Sequence, residues 1–117
     1  MIIVAGTVEF DPAQRDAALA AASELFAATR AQPGCLDYVW CADPSSESRV
    51  YVYERWQDTA AFAAHLAGPC YHGMLAVLGR HGLRAADVAK HRVDKREPVY
   101  DPSGKPRADF FTSGDVP

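Results

Sequence analysis

The stretch VYVYERWQDTAAFAAHLAGPCYH, Val50 to His72, decides how the chain is read. Its first half alternates: Val50, Val52, Glu54 and Trp56 fall on one row, Tyr51, Tyr53 and Arg55 on the other. Such alternation, rich in β-branched and aromatic residues, predicts a strand over residues 49–56. Gln57-Asp58 ends it, and Asp58 suits an N-cap, because its carboxylate can accept hydrogen bonds from unpaired N–H groups of a helix start. Phe62 and Leu66 then share one helical face, and Gly68-Pro69 interrupts the helix. Tyr71, Met74, Leu75 and Leu78 predict a further helical segment up to Gly79 or Gly82.

Working outward, IIVAGTVEF (residues 2–10) reads as a first strand. Asp11-Pro12 follows, with Asp11 as N-cap and Pro12 at the first helical position. Ala18, Leu19, Ala22, Leu25, Phe26 and Thr29 make one apolar stripe at helical spacing, and Pro33-Gly34 stops that helix. CLDYVWCA (residues 35–42) is a second strand. DPSSES (residues 43–48) is turn chemistry short enough for a hairpin into the strand at 49–56. Residues 88–96 are expected to form a fourth strand. The order strand, helix, strand, strand, helix, strand predicts an α+β fold, ferredoxin-like βαββαβ with a four-stranded antiparallel sheet.

The bulk numbers fit one such domain. The chain has 117 residues, 49% hydrophobic and 23% charged, with a net charge of −3. No basic stripe is present, so nucleic acid is not an expected partner. MIIVAGTVEF lacks a basic leader and is broken by Gly6, Thr7 and Glu9, so neither a signal peptide nor a membrane span is expected. Cys35, Cys41 and Cys70 are an odd number without C-x-x-C spacing. They read as reduced thiols in a cytoplasmic protein, packed as small buried hydrophobes. Residues 1–96 form the expected domain. Residues 97–117 form a tail, in which four prolines and two glycines fall in the last 20 positions and argue against regular structure.

Both helices of this fold lie on one sheet face, yet both rows of the strands are largely apolar. Leu36, Tyr38, Trp40 and Ala42 oppose Cys35, Val39 and Cys41, and Ile2, Val4, Val8 and Phe10 oppose Ile3 and Ala5. At ~25 cal/mol per Å², hiding a face of several hundred Å² is worth on the order of ten kcal/mol before association costs. A second copy, sheet against sheet, is the simplest cover, which predicts a homodimer. The row facing away from the helices is then expected to lie near any cavity.

The run of a first strand, an Ala-rich helix, PGCLDYVW and YVYERWQDTAAFAAH resembles the antibiotic biosynthesis monooxygenase (ABM) domain, over residues 1–96. The resemblance rests on Pro33-Gly34 before the second strand, Glu54-x-Trp56 and Ala64-His65. It implies a dimeric α/β barrel built from ferredoxin-like halves. It also implies a superfamily holding cofactor-independent quinol and polyketide monooxygenases and haem-degrading enzymes. The haem-degrading branch implies an asparagine, a tryptophan and a histidine near Thr7, His65 and Leu75. None of the three matches, so haem degradation is not expected.

Oxygenation without a cofactor requires the substrate to supply the electrons, so the protein needs an aromatic-walled pocket, a base near neutral pKa and donors for the developing anion. No G-x-G-x-x-G, P-loop or H-E-x-x-H occurs, and neither a cofactor nor a metal site is expected. His65 is the first candidate base, because histidine titrates near neutrality. His72 is the second, seven residues on. Glu54 interrupts an apolar row and is expected to orient His65, to pair with Arg55 or Arg92, or to serve as a buried hydrogen-bonding group. Tyr38, Trp40, Tyr51 and Tyr53 are candidates to stack a flat aromatic or quinone-like ligand. Trp56 and Phe62 are candidate walls and Thr7 a candidate hydroxyl donor, while His81 and His91 are expected to be solvated. The alternatives are a ligand-binding module without catalysis, and an isomerase or lyase using His65 without oxygen.

Overall fold

The structure, a computed structural model, describes residues 1–113. Its elements run β1 (Ile2–Phe10), α1 (Arg15–Ala21), α2 (Ser23–Arg30), β2 (Cys35–Ala42), β3 (Arg49–Trp56), α3 (Thr59–Ala67), α4 (Pro69–Arg80) and β4 (Leu83–Arg92). The strands form one antiparallel sheet in the order β2-β3-β1-β4. This is the α+β, ferredoxin-like arrangement expected from the sequence.

Two elements differ in their bounds from the expectation and one strand in its register, each for a local reason. The first helix is two helices broken at Ala22, and it starts a turn late. The Asp11 carboxylate accepts from the Ala13 amide within the preceding turn, while Gln14 at the N-cap makes no side-chain cap bond. The fourth strand begins at Leu83 because Gly82, at φ +75°, turns the chain directly into pairing with β1. Within β2 the register slips between Cys35 and Asp37, so Leu36 has no partner. Cys35 therefore lies level with Trp56 on the inner row, and Leu36 is 46% exposed.

The pairing aligns the inner rows. Tyr38, Glu54, Val4 and Lys90 stand level across the four strands, and Trp40, Val52, Gly6 and Val88 stand level beside them. The buried residues Val4, Val8, Phe10, Val50, Val52, Tyr38 and Trp56 belong to this side, and the helices cover it with Ala18, Ala22, Met74, Val77 and Leu78. Gly6 is required by a close approach: a Cβ there would lie 2.0 Å from the Asp87 carbonyl oxygen of β4. Arg15 joins the helices to the hairpin, its guanidinium donating to the carbonyls of Asp43, Ser46 and Arg49.

The opposite sheet face is open in the single chain. Val39, Tyr51 and Tyr53 on it are 41%, 50% and 39% exposed. Cys41 also lies there and is exposed, so only Cys70 is a buried hydrophobe of the kind expected of all three cysteines. Beyond β4 the described residues form local turns without helices or strands. The Glu97 carboxylate accepts from the amides of Phe111 and Thr112 and from the Thr112 hydroxyl. The Asp101 carboxylate accepts from the amides of Ser103 and Lys105, and Tyr100 pairs with Pro106. Among the described residues no single helix is long and apolar enough to cross a membrane.

Candidate functional site

The site is organised by the corner where β3 turns into α3. Asp58 caps α3, its carboxylate accepting from the Ala61 amide at 2.8 Å. Gly34 sits beneath, at φ +80°, where a Cβ would meet that of Ala61 at 2.4 Å. This close approach seats α3 on the Pro33-Gly34 turn, and the second helical turn then carries His65 over the sheet. At Gly68-Pro69 the helix bends by 55° into α4, with Pro69 at the first helical positions.

Between the two helices and the inner sheet row lies a cavity of about 500 Å³. Its walls include Tyr38, Trp40, Val52, Phe62, Tyr71, Met74 and Leu78, with Glu54 and His65 as the polar groups within. Leu66, Leu75, Leu83 and Val88 also border it and are partly exposed, so the cavity opens on the β4 side, where Lys90 stands. The cavity therefore lies on the helix side and inside one chain, whereas the sequence reading put it beside the row facing away from the helices.

His65 is 3% exposed. Its ring stacks on Trp56 at 4.6 Å between centroids, and the rings of Tyr38 and Tyr71 meet its edges at 5.8 and 5.9 Å. Nδ1 lies 2.8 Å from Gln32 Oε1. Burial pushes the imidazole below its ordinary value, favouring the neutral base at neutral pH.

Glu54 is 7% exposed and accepts from Trp56 Nε1 at 3.0 Å. Burial pushes its carboxyl above the ordinary value, and the Trp56 bond limits the rise. Of the partners considered for it, Arg55 instead pairs with Asp37, and the observed partner is Trp56. Burial, reinforced by the Glu54 charge, also raises the Tyr38 phenol, so Tyr38 stays a neutral hydroxyl. Trp40 Nε1 is buried without a hydrogen bond of ordinary geometry, although its N–H still slightly offsets the upward push on Tyr38.

The cavity thus gathers His65, Tyr38, Trp40, Phe62 and Glu54, with Trp56 fully buried behind His65. Thr7, Tyr51 and Tyr53 stand on the open sheet face, away from it. His72 is exposed on α4 and does not line the cavity, because the bend at Gly68-Pro69 breaks the helical phase that would align it with His65. His81 is tied by Nδ1 to the Val77 carbonyl at 2.7 Å, and His91 is exposed. Gln32, Tyr71 and Met74 are site residues that the sequence reading did not assign. Gln32 gave no signal, since it lies 33 residues from His65 in the chain. Tyr71 and Met74 did carry a helical period, which reads as core. Among the described residues no cluster of His, Cys, Asp and Glu is arranged to hold a metal ion.

Comparison with known proteins agrees with the fold. Residues 1–76 match the family model described as antibiotic biosynthesis monooxygenase. An uncharacterized protein of Synechocystis sp. is 27% identical over 71 residues, or 61% of this chain. The match spans about half of that relative, 48% of its length. A Deinococcus radiodurans protein of antibiotic-biosynthesis-monooxygenase type superposes with a TM-score of 0.77 at 21% identity, covering 86% of this chain and all of the other. A solved antibiotic biosynthesis monooxygenase gives a TM-score of 0.70 at 25% identity, covering 80% of this chain and 98% of the other.

Proposed function

This chain belongs to the antibiotic biosynthesis monooxygenase family, and from that premise we propose that its cavity oxidises a hydroxylated aromatic or quinol with molecular oxygen, without a resident cofactor. The observation that carries the reading is His65: a buried imidazole, kept neutral, in the wall of an aromatic cavity large enough for a small ring system. His65 takes the substrate hydroxyl proton, and the resulting anion is electron-rich enough to reduce oxygen. For an anthrone-like substrate, the ring methylene loses two hydrogens and gains one oxygen atom as a carbonyl. The second oxygen atom leaves with those hydrogens as water, so the substrate supplies every electron. The neutral hydroxyl of Tyr38 and the protonated fraction of Glu54 are donors near the developing anion.

We also propose that the chain works as a homodimer joined through the open face that carries Val39, Tyr51 and Tyr53, and that it resides in the cytoplasm, which suits its three free thiols. The test is oxygen uptake over a panel of hydroquinones and anthrone-like phenols, against the autoxidation blank. Uptake is expected to fall on acidification below the ordinary histidine range, and His65→Ala is expected to lose about 10²-fold or more in kcat. No uptake above the blank, or a His65→Ala variant as active as the parent, rejects the reading.

A further inference from the structure

We propose that Gln32 is a positioning residue of this site: its side-chain oxygen accepts the Nδ1–H of His65, fixing the tautomer whose unprotonated Nε2 is offered to the cavity. The inference rests on the reading of His65 as the base, and it adds the device that makes every molecule of the protein a competent one. Neutral imidazole has one donor and one acceptor nitrogen, and which is which is set by the bond the other nitrogen makes.

Three features assign that role to Gln32. The ring is held against turning over, which would put Cδ2 where Nδ1 stands and Cε1 where Nε2 stands, because it is stacked on Trp56 at 4.6 Å and edged by Tyr38 and Tyr71. His65 is also a partition. It borders the interior cavity on one side and, on the other, an outer hollow of about 400 Å³. Gln32 belongs to the outer hollow alone, with Gly34 and Asp58. One ring nitrogen is therefore engaged from outside, at 2.8 Å, and among the described residues no hydrogen bond engages the other. Finally, Gln32 is itself held. Its backbone N–H donates to the Thr29 carbonyl at 3.0 Å, and its backbone carbonyl accepts from the Cys35 N–H at 3.1 Å, fixing the side chain's origin between α2 and β2.

The choice of an amide has chemical consequences. A carboxylate at this position would also accept from Nδ1, but its charge would favour imidazolium and disarm the base at neutral pH. The amide orients without charging. The other ionisable groups around the ring are Tyr38 from β2, Glu54 from β3, Tyr71 from α4 and Asp58 across the outer hollow.

The test is imidazole nitrogen NMR on the full chain, with Gln32→Ala and Gln32→Glu beside the parent. The parent is expected to show His65 protonated at Nδ1 and bare at Nε2 at neutral pH. Gln32→Glu keeps an acceptor and has no amide donor, so it should retain this tautomer while raising the His65 titration midpoint by about 1 unit or more. Gln32→Ala should show mixed tautomers and a several-fold lower kcat at unchanged KM. A dispersed backbone spectrum confirms folding of each variant. A parent ring protonated at Nε2, or a Gln32→Ala ring with the parent's tautomer, overturns the proposal. If the tautomers are as stated but His65→Ala still consumes oxygen, the positioning role stands and the base reading falls.

Discussion

Replacing Trp56 by Phe separates the two jobs of that residue. Phe keeps an aromatic ring against His65 but removes the N–H that Glu54 accepts at 3.0 Å. Burial holds the Glu54 carboxyl above its ordinary 4.5, so between that value and its folded pKa the folded chain keeps a proton that the unfolded chain has released. Stability therefore falls as pH rises through that window. The indole N–H limits the upward shift. Without it the folded value moves further up, the window widens, and the variant loses more stability at pH 8 than at pH 4. A hydrogen bond to a charged group contributes about 1.5–3 kcal/mol and a neutral one about 0.5–1.5, so the two conditions should differ by about 1–1.5 kcal/mol. The smaller ring leaves a void whose cost does not depend on pH, and it cancels in that difference. For a chain of this size the difference is about 4–6 °C in the shift of melting temperature. Urea unfolding of parent, Trp56→Phe, Glu54→Gln and the double variant at both pH values measures it, with the coupling read from the cycle. A destabilisation equal at the two pH values, or additive single variants at pH 8, refutes the pairing as the cause of Glu54's tolerance of burial.

Two further outcomes are expected. Gly34→Ala combines a left-handed backbone with a Cβ 2.4 Å from that of Ala61, and should cost about 1–3 kcal/mol in chemical unfolding while weakening the seat of α3. A change within a few tenths of a kcal/mol would show that the turn relaxes freely. Tyr51→Glu with Tyr53→Glu places two charges on the open face, and sedimentation at micromolar concentration should then show a monomer. A parent that is already monomeric there would remove the dimer proposal.

Much of the fold was legible because local signals agreed with one another. The alternation of Val50 through Trp56, the Asp58 cap and the Gly68-Pro69 break are each decided by immediate neighbours, and each appears where expected. What could not be read locally depends on pairing between distant segments. The slip at Leu36 exists only because β2 meets β3, and it brings Cys35 level with Trp56 while leaving Leu36 unpaired. The start of β4 at Leu83 is imposed by β1, since its own residues are exposed throughout. The site divides in the same way. His65, Tyr38, Trp40, Phe62 and Glu54 carry residue types that announce chemistry or stacking, whereas Gln32 is an ordinary amide until the turn at Gly34 brings it to the ring. Tyr51 and Tyr53 are as aromatic as Tyr38. Only their parity in the strand sends them to the other face, and sequence cannot say which parity the helices choose.

The 55° bend at Gly68-Pro69 puts the buried imidazole and much of the chamber wall on separate pieces of backbone. His65, the proposed proton acceptor, rides on α3, anchored from below by Trp56 and from outside by Gln32, while α4 supplies Met74 and Leu78 to the chamber wall. Trimming or enlarging those two side chains resizes the space without disturbing the imidazole. On the proposed reading, the molecule admitted can therefore change while the imidazole stays where it is.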